Sequence, residues 1–285
     1  MRVGVATDST ADLPPRLASD LGIAVVPCLI FWGQEELLDG VDLRPEEFYD
    51  RLAHSAELPR TAQPAVKSFV HTYRQLLEMD WCDAVVSVHV AGNLSGTVNA
   101  AWAAAQSLPD PSRVDVIDSG QVSMGLGWAV IRAAKMAREG ATLEELGQAV
   151  RDLLPRLRAA AMIDNLENLY KGGRISQITA AVGTVLQIKP LISIQGGRLQ
   201  VVDRVRTRSR ALQRLEALVR TWGPLAEVSV LHTGAPELAE DLAGRLADLA
   251  SENHLMVEPA GPALTTHLGL EAVGVCALVC AGREP

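Results

Sequence analysis

The segment Ala84–Val90 (Ala-Val-Val-Ser-Val-His-Val) is an almost unbroken apolar run rich in valine. A strand with one face in water alternates polar and apolar residues. A strand apolar throughout is buried on both faces, the condition of an inner strand in a parallel sheet covered by helices. The flanking sequence agrees. Ala65–Met79 places Val66, Phe69, Val70, Tyr73 and Leu77 on one helical face, and Ser95–Ser107 reads as a further helix. Arg2–Thr7 and Ile23–Phe31 read as strands around a helix over Leu13–Leu21, which Pro14 and Pro15 start and Gly22 closes. Leu43–His54 (helix, started by Pro45), Arg113–Ile117 (strand), Ser123–Arg138 and Thr142–Leu157 (helices) continue the pattern. The alternation predicts an α/β fold with mainly parallel sheets.

The 285 residues suit about two domains. A second unit begins near residue 158, which divides the chain into 1–157 and 158–285. Ala159–Ile163, Ile188–Ile194, Arg198–Val202, Val228–His232, Leu255–Val257 and Ala272–Val279 read as its strands. Asn165–Tyr170, Thr207–Thr221 and Pro236–Asn253 read as its helices. Gln195-Gly196-Gly197 is a hairpin turn.

A net charge of −8 argues against a nucleic-acid footprint. No apolar run reaches the roughly 18 residues of a membrane span, although transient contact with a membrane surface is compatible with the composition. The N-terminus enters a strand directly, without a signal-peptide core. The four cysteines (Cys28, Cys82, Cys276, Cys280) form no Cys-x-x-Cys pair, and Cys276 and Cys280 read as small core residues. Together these features point to a cytoplasmic protein. The histidines show no metal spacing, and no nucleotide motif, GxSxG elbow or obvious Ser-His-Asp grouping is present.

Several short motifs remain, each with two readings. Asp8-Ser9-Thr10 ends the first strand, where open α/β sheets bind ligands, yet these residue types also build turns. Thr61-Ala62-Gln63-Pro64 offers a hydroxyl ahead of a helix, or is simply a loop. Gly92-Asn93-Leu94-Ser95-Gly96-Thr97 opens a helix after the valine-rich strand; it is an anion site, or Asn93 or Ser95 caps the helix. Lys171-Gly172-Gly173-Arg174-Ile175-Ser176 sets two glycines between two cations, which is a close-approach site or a helix end. Arg204, Arg206, Arg208 and Arg210 recur with period two, as a phosphate-binding face or a solvated one. His267 sits in a glycine-bounded segment after Gly261-Pro262.

Taken in order, these motifs resemble the DegV family of bacterial fatty-acid-binding proteins. The matching pieces are Thr7–Leu13, Thr61–Pro64, Leu94–Thr97, Asp118-Ser119, Lys171–Ile175, Lys189–Leu191, Val205–Thr207 and Gly261-Pro262 with His267. The resemblance implies two α/β domains with one long-chain, palmitate-like fatty acid in a pocket between them, and no cofactor or metal. It implies a carboxylate site at Thr61, Gly92, Asn93, Ser95 and His267, with Asp8 and Ser9 in a secondary pocket or turn. It implies presentation of the carboxylate to a separate ATP-dependent fatty acid kinase, with Arg174 and Lys171 as partner contacts, and no catalysis by the chain itself. The competing reading is a phosphotransferase- or hydrolase-like enzyme using Asp8 and His267. The chain departs from the family in three places. Ala91 and Gly92 stand where it usually carries a serine pair, one of which holds the carboxylate. Ala62 replaces a favoured serine, and Gly269-Leu270-Glu271 replaces Gly-Pro-Gly. A backbone N–H of Gly92 or Asn93, or the side chain of Asn93 or Ser95, is then left to substitute.

Overall fold

The computed structural model describes residues 2–79, 82–174, 188–250 and 255–281. Ile175, Ser176 and His254 lie outside them. The first half runs β1 (Val3–Asp8), α1 (Pro15–Leu21), β2 (Ile23–Val26), β3 (Leu29–Trp32), β4 (Glu35–Leu38), α2 (Pro45–His54), β5 (Arg60–Ala62), α3 (Val66–Leu77), β6 (Ala84–His89), α4 (Thr97–Gln106), β7 (Val114–Asp118), α5 (Met124–Arg138) and α6 (Leu143–Leu153). The second half runs β8 (Leu157–Met162), α7 (Glu167–Lys171), β9 (Lys189–Gln195), β10 (Arg198–Val205), α8 (Arg208–Arg220), β11 (Leu225–His232), α9 (Pro236–Leu246), β12 (Leu255–Pro259), α10 (Pro262–Leu268) and β13 (Val273–Val279).

Among the described residues the strands form three sheets. The first, in the order β2-β1-β6-β7, is parallel at every pairing. Its inner strands β1 and β6 are buried at every position, as an apolar run without alternation requires. The second has the order β10-β9-β8-β13-β11-β12. Here the expectation of mainly parallel sheets needs correction, because only β11 and β12 pair in parallel, joined through α9. The physical cause lies in the connections. Gly196 and Gly197 both have positive φ (55° and 73°) and close a hairpin between β9 and β10, and β13 inserts antiparallel between β8 and β11.

The third sheet, β4-β3-β5, is antiparallel and small. The apolar stretch Ile23–Phe31 is not one strand. Pro27, which has no N–H to give a ladder, separates β2 from β3, and the two belong to different sheets. Gly261-Pro262 starts α10, so the glycine-bounded segment that holds His267 is a helix. The arginine run does not form one face: Arg204 lies in β10, Thr207 caps α8, and Arg208 and Arg210 are in that helix. Arg208 is paired with Asp164 and Glu271.

Helix α5 is buried along nearly its whole length and packs against β1 and β6 of the first sheet and β8 and β13 of the second. One hydrophobic cluster therefore includes Val86, Met124, Ile131, Ala159, Ile194 and Cys276 from both halves of the chain. The division between 157 and 158 falls at the start of β8. Helix α6 begins with a reciprocal cap: the Glu145 N–H donates to Thr142 Oγ1 at 3.3 Å, and the Thr142 N–H to Glu145 Oε2 at 2.8 Å.

Candidate functional site

Helix α10 belongs to the second half by sequence but is held by the first. Asp12, in a left-handed conformation (φ +49°), accepts from the Gly261 N–H at 2.9 Å and from the Ser123 hydroxyl at 2.6 Å. Asp39 accepts from the Ala263 N–H at 3.3 Å and from the Ser9 hydroxyl at 2.6 Å. The Tyr49 hydroxyl lies 2.5 Å from the Ala260 carbonyl, one residue before the helix cap. Burial pushes the Asp12 carboxyl up to about 7 and the Asp39 carboxyl up to about 6, against the lowering effect of their hydrogen bonds.

This anchoring sets His267 opposite β5. Thr61 Oγ1 and His267 Nε2 are 2.8 Å apart. The ring is largely buried, and desolvation, helped by the Arg174 charge, lowers its pKa to about 4, so the imidazole is neutral at pH 7. The buried Nδ1 has no hydrogen-bond partner among the described residues. It faces Gly172, where a Cβ would overlap it. The two glycines of Lys171–Arg174 thus serve different ends. Gly172 permits close approach to the imidazole, while Gly173 supplies a positive φ of 74°.

The Thr61–His267 contact borders a cavity between the mixed sheet, the loop after β6 and α10. It offers about 140 Å³ to the centre of a water-sized sphere. Its walls are mostly aliphatic, including Val90, Leu94, Ala161, Ile192, Ile194 and Leu231. Thr61, Gln63, Ser95, Arg174 and His267 add polar groups. Gln63 abuts Gly96. Arg174 is half-buried and donates to the carbonyls of Leu94 at 3.1 Å and Gly172 at 2.7 Å, so it joins the loop after β6 to the turn after α7. Cys28 and Cys276 also line the cavity. Burial pushes both thiols up, Cys276 to about 12, which leaves them as unreactive wall.

Of the residues singled out from sequence, Thr61, Ser95, Arg174 and His267 come together at this cavity. Gly92 and Asn93 do not line it. The Gly92 N–H donates to Asp118 Oδ2 at 3.1 Å and so is already engaged, and the Asn93 amide lies beside Gly197 at the β9–β10 turn. Lys171 stands outside, paired with Glu167 at 2.5 Å. Ser9 binds Asp39 and receives the Cys28 N–H at 2.9 Å, holding the start of β3.

Asp8 is fully buried and away from the cavity lining. It accepts from the Val90 N–H at 3.1 Å, from the Thr10 N–H and hydroxyl, and from His89 Nδ1 at 2.9 Å. His89 Nε2 lies 2.7 Å from Ser87 Oγ, which accepts from the Tyr73 hydroxyl at 2.9 Å. A Ser-His-Asp chain is therefore present after all, contrary to the sequence reading. It is sealed in the core with every member at 0% exposure. Asp8 and His267 are not brought together. Asp39 escaped the sequence reading and Asp12 entered it only within Thr7–Leu13; no local signal ties either carboxylate to α10.

A model of the DegV family, described as "Uncharacterised protein, DegV family", matches residues 2–279. The chain belongs to the DegV family. DegV domain-containing proteins of Streptomyces coelicolor and Deinococcus radiodurans are 35% and 34% identical to it, over 96% of this chain and 97% and 98% of theirs. Among solved structures, a DegV family protein from Thermus thermophilus, described by its fatty acid binding, is 32% identical with a TM-score of 0.89, covering 98% of this chain and 100% of that one. DegV from Bacillus subtilis, described as a fatty acid binding protein, is 27% identical with a TM-score of 0.87, again over 98% and 100%. The two-domain α/β architecture of the family is the architecture seen here. Among the described residues no helix is long and apolar enough to cross a membrane.

Proposed function

We propose that this protein binds one long-chain fatty acid, with the chain in the apolar cavity and the carboxylate at Thr61 and His267. The observation that carries the reading is the Thr61–His267 hydrogen bond at the border of an otherwise aliphatic cavity. DegV relatives described as fatty acid binders support it.

The bonding pattern gives each group a task. Nδ1 of the neutral imidazole has no acceptor among the described residues. A proton on Nδ1 would be a buried, unpaired N–H; a proton on Nε2 is donated to Thr61. The Nε2–H tautomer is therefore favoured, and it frees the Thr61 O–H to donate to a carboxylate. Burying a carboxylate without donors or countercharge costs several kcal/mol. Arg174 supplies the countercharge and Ser95 stands as a further donor, in place of the serine that the family carries at Ala91 or Gly92. A sixteen-carbon chain gains roughly 12 kcal/mol of gross transfer energy, at about 0.8 kcal/mol per CH₂, before the cost of ordering it.

The same reading includes a partner. The chain acts in the cytoplasm as a lipid-binding subunit and presents the carboxylate to an ATP-dependent fatty acid kinase. There a carboxylate oxygen attacks the γ-phosphorus of ATP held by the kinase, ADP leaves, and acyl phosphate remains on this protein. In this reading the chain is organised as 1–157 and 158–285, with the fatty acid held between the two units.

Native mass spectrometry of the purified protein, with identification of the released small molecule, tests the lipid reading. One long-chain fatty acid per chain is expected; an apo mass that does not change on incubation with C14–C18 acids would end it. The kinase reading predicts that Arg174→Ala loses phosphorylation of bound lipid faster than it loses lipid, and a variant phosphorylated at the wild-type rate would refute that role.

A further inference from the structure

A second recess, with about 500 Å³ of space on the same measure as the cavity, adjoins its far end. Ala159, Ser193 and Ile194 line both. Along β8 the cavity touches residues 159–161 and the recess residues 157–159; along β9 the cavity touches 192–194 and the recess 193–195. In the loop before α5, Ser119, Gly120 and Gln121 line the recess, and Val122 and Ser123 the cavity. Strand β8 runs towards α7, and Gly172 at the end of that helix meets His267. The proposed head-group end therefore lies beyond the C-terminal end of β8, and the recess continues the line of the cavity at the N-terminal end.

Gln121 stands at this junction and is only 5% exposed. Its backbone is fixed: the N–H donates to Ser119 Oγ at 3.1 Å, and the carbonyl accepts from the Ala91 N–H at 2.9 Å. Its side chain is not. Nε2 donates to the Leu157 carbonyl over a long 3.4 Å, and the buried Oε1 has no partner among the described residues. An amide oxygen left unpaired in the interior costs free energy, and turning it out into the recess returns it to water. The recess itself offers apolar wall from Leu157, Val202, Leu218 and Trp222. We propose that the recess is a tail site: the Gln121 side chain swings aside, and a ligand longer than the cavity carries its last methylenes past Ala159 into the recess. The ligand class is unbranched carboxylic acids longer than stearate. Each methylene removed from water adds to affinity, so binding keeps strengthening beyond the length at which a closed cavity would reject the chain. The inference rests on the proposed seating of the carboxylate at Thr61 and His267.

The test is displacement of a fluorescent fatty acid from the delipidated full chain by palmitate, stearate and docosanoate, each delivered from cyclodextrin. For the wild type, docosanoate should displace the probe at about tenfold lower concentration than stearate, short of the full transfer gain of its extra methylenes because the recess is partly open to water. Val202, 42% exposed on β10, lines the recess and not the cavity. Val202→Trp should fill the recess and abolish the docosanoate advantage without moving palmitate. Gln121→Ala removes the obstruction and should improve docosanoate about threefold, again without moving palmitate. Docosanoate no better than stearate, or an advantage that survives Val202→Trp, overturns the tail site while displacement by palmitate keeps the fatty acid reading. If palmitate also fails to displace, both fall.

Discussion

The backbone of Gly172 lies against the Nδ1 edge of His267, with no room between them for a side chain. Gly172→Ala would drive a methyl into the ring and pull the imidazole from Thr61. We expect a stability loss of about 1–3 kcal/mol, as for other overpacked sites, and weakened fatty acid binding. Gly173→Ala, strained only by its positive φ, should cost about 1 kcal/mol and leave binding intact. Melting temperatures and lipid titrations of the two variants separate the effects; equal binding losses would show that the ring contact is unimportant.

Thr61→Val keeps the shape of the side chain and removes its hydroxyl. His267 Nε2 then loses its partner and a carboxylate loses a donor. Fatty acid affinity should fall about tenfold, corresponding to roughly 1.4 kcal/mol for one hydrogen bond to a charged group. Calorimetric titration with palmitate checks this, and an unchanged Kd would move the carboxylate elsewhere.

The pH dependence of stability contains two opposed contributions. Asp12, raised to about 7, holds a proton in the folded chain that the unfolded chain has lost, so its contribution to stability falls as pH rises from about 4 to 7. Asp39 acts in the same direction up to about 6. His267, lowered to about 4, does the reverse: between about 4 and 6.5 the unfolded chain binds the proton, so this contribution is lost as pH falls. Relative to wild type, Asp12→Asn should gain in melting temperature as pH rises from 4 to 7. His267→Gln should gain as pH falls over 6.5 to 4. Each trend should amount to the order of 1–3 kcal/mol, and parallel pH profiles would show that neither group titrates as described.

The sealed chain from Tyr73 through Ser87 and His89 to Asp8 makes a different prediction. Ser87→Ala leaves a buried hydroxyl and a buried ring nitrogen unpaired and should destabilise the fold by about 2–4 kcal/mol. Lipid loading should persist below the new melting point. A nitrophenyl ester should be hydrolysed only at background rate by both proteins; a wild-type rate lost in Ser87→Ala would make the chain catalytic.

What could be read in the sequence follows the range of the forces involved. Ala84–Val90 announces its burial because a strand's two faces are written into neighbouring residues. The α5 and α6 helices are equally local in origin. Pro27 carried enough information to split Ile23–Phe31, since it cannot donate to a ladder, but which sheet each piece joins is a tertiary matter. The direction of β13 depends on partners 41 to 121 residues away and leaves no local mark. At the site, the chemical types of Thr61, Ser95 and His267 were legible as donors. The engagement of Gly92 by Asp118 and the grip of Asp12 and Asp39 on α10 were not, because 249 residues separate Asp12 from Gly261.

That last separation has a consequence for how the protein comes into being. The parallel sheet needs only residues up to Asp118, and α10 is made after every strand except β13. A growing chain therefore owns much of its cavity wall long before it owns the helix that carries His267. Closing a loop of this size is entropically costly and comes after the local contacts. If the proposed site is right, head-group recognition is a late event in biosynthesis, and a chain stalled before α10 offers greasy surface without the helix that carries His267.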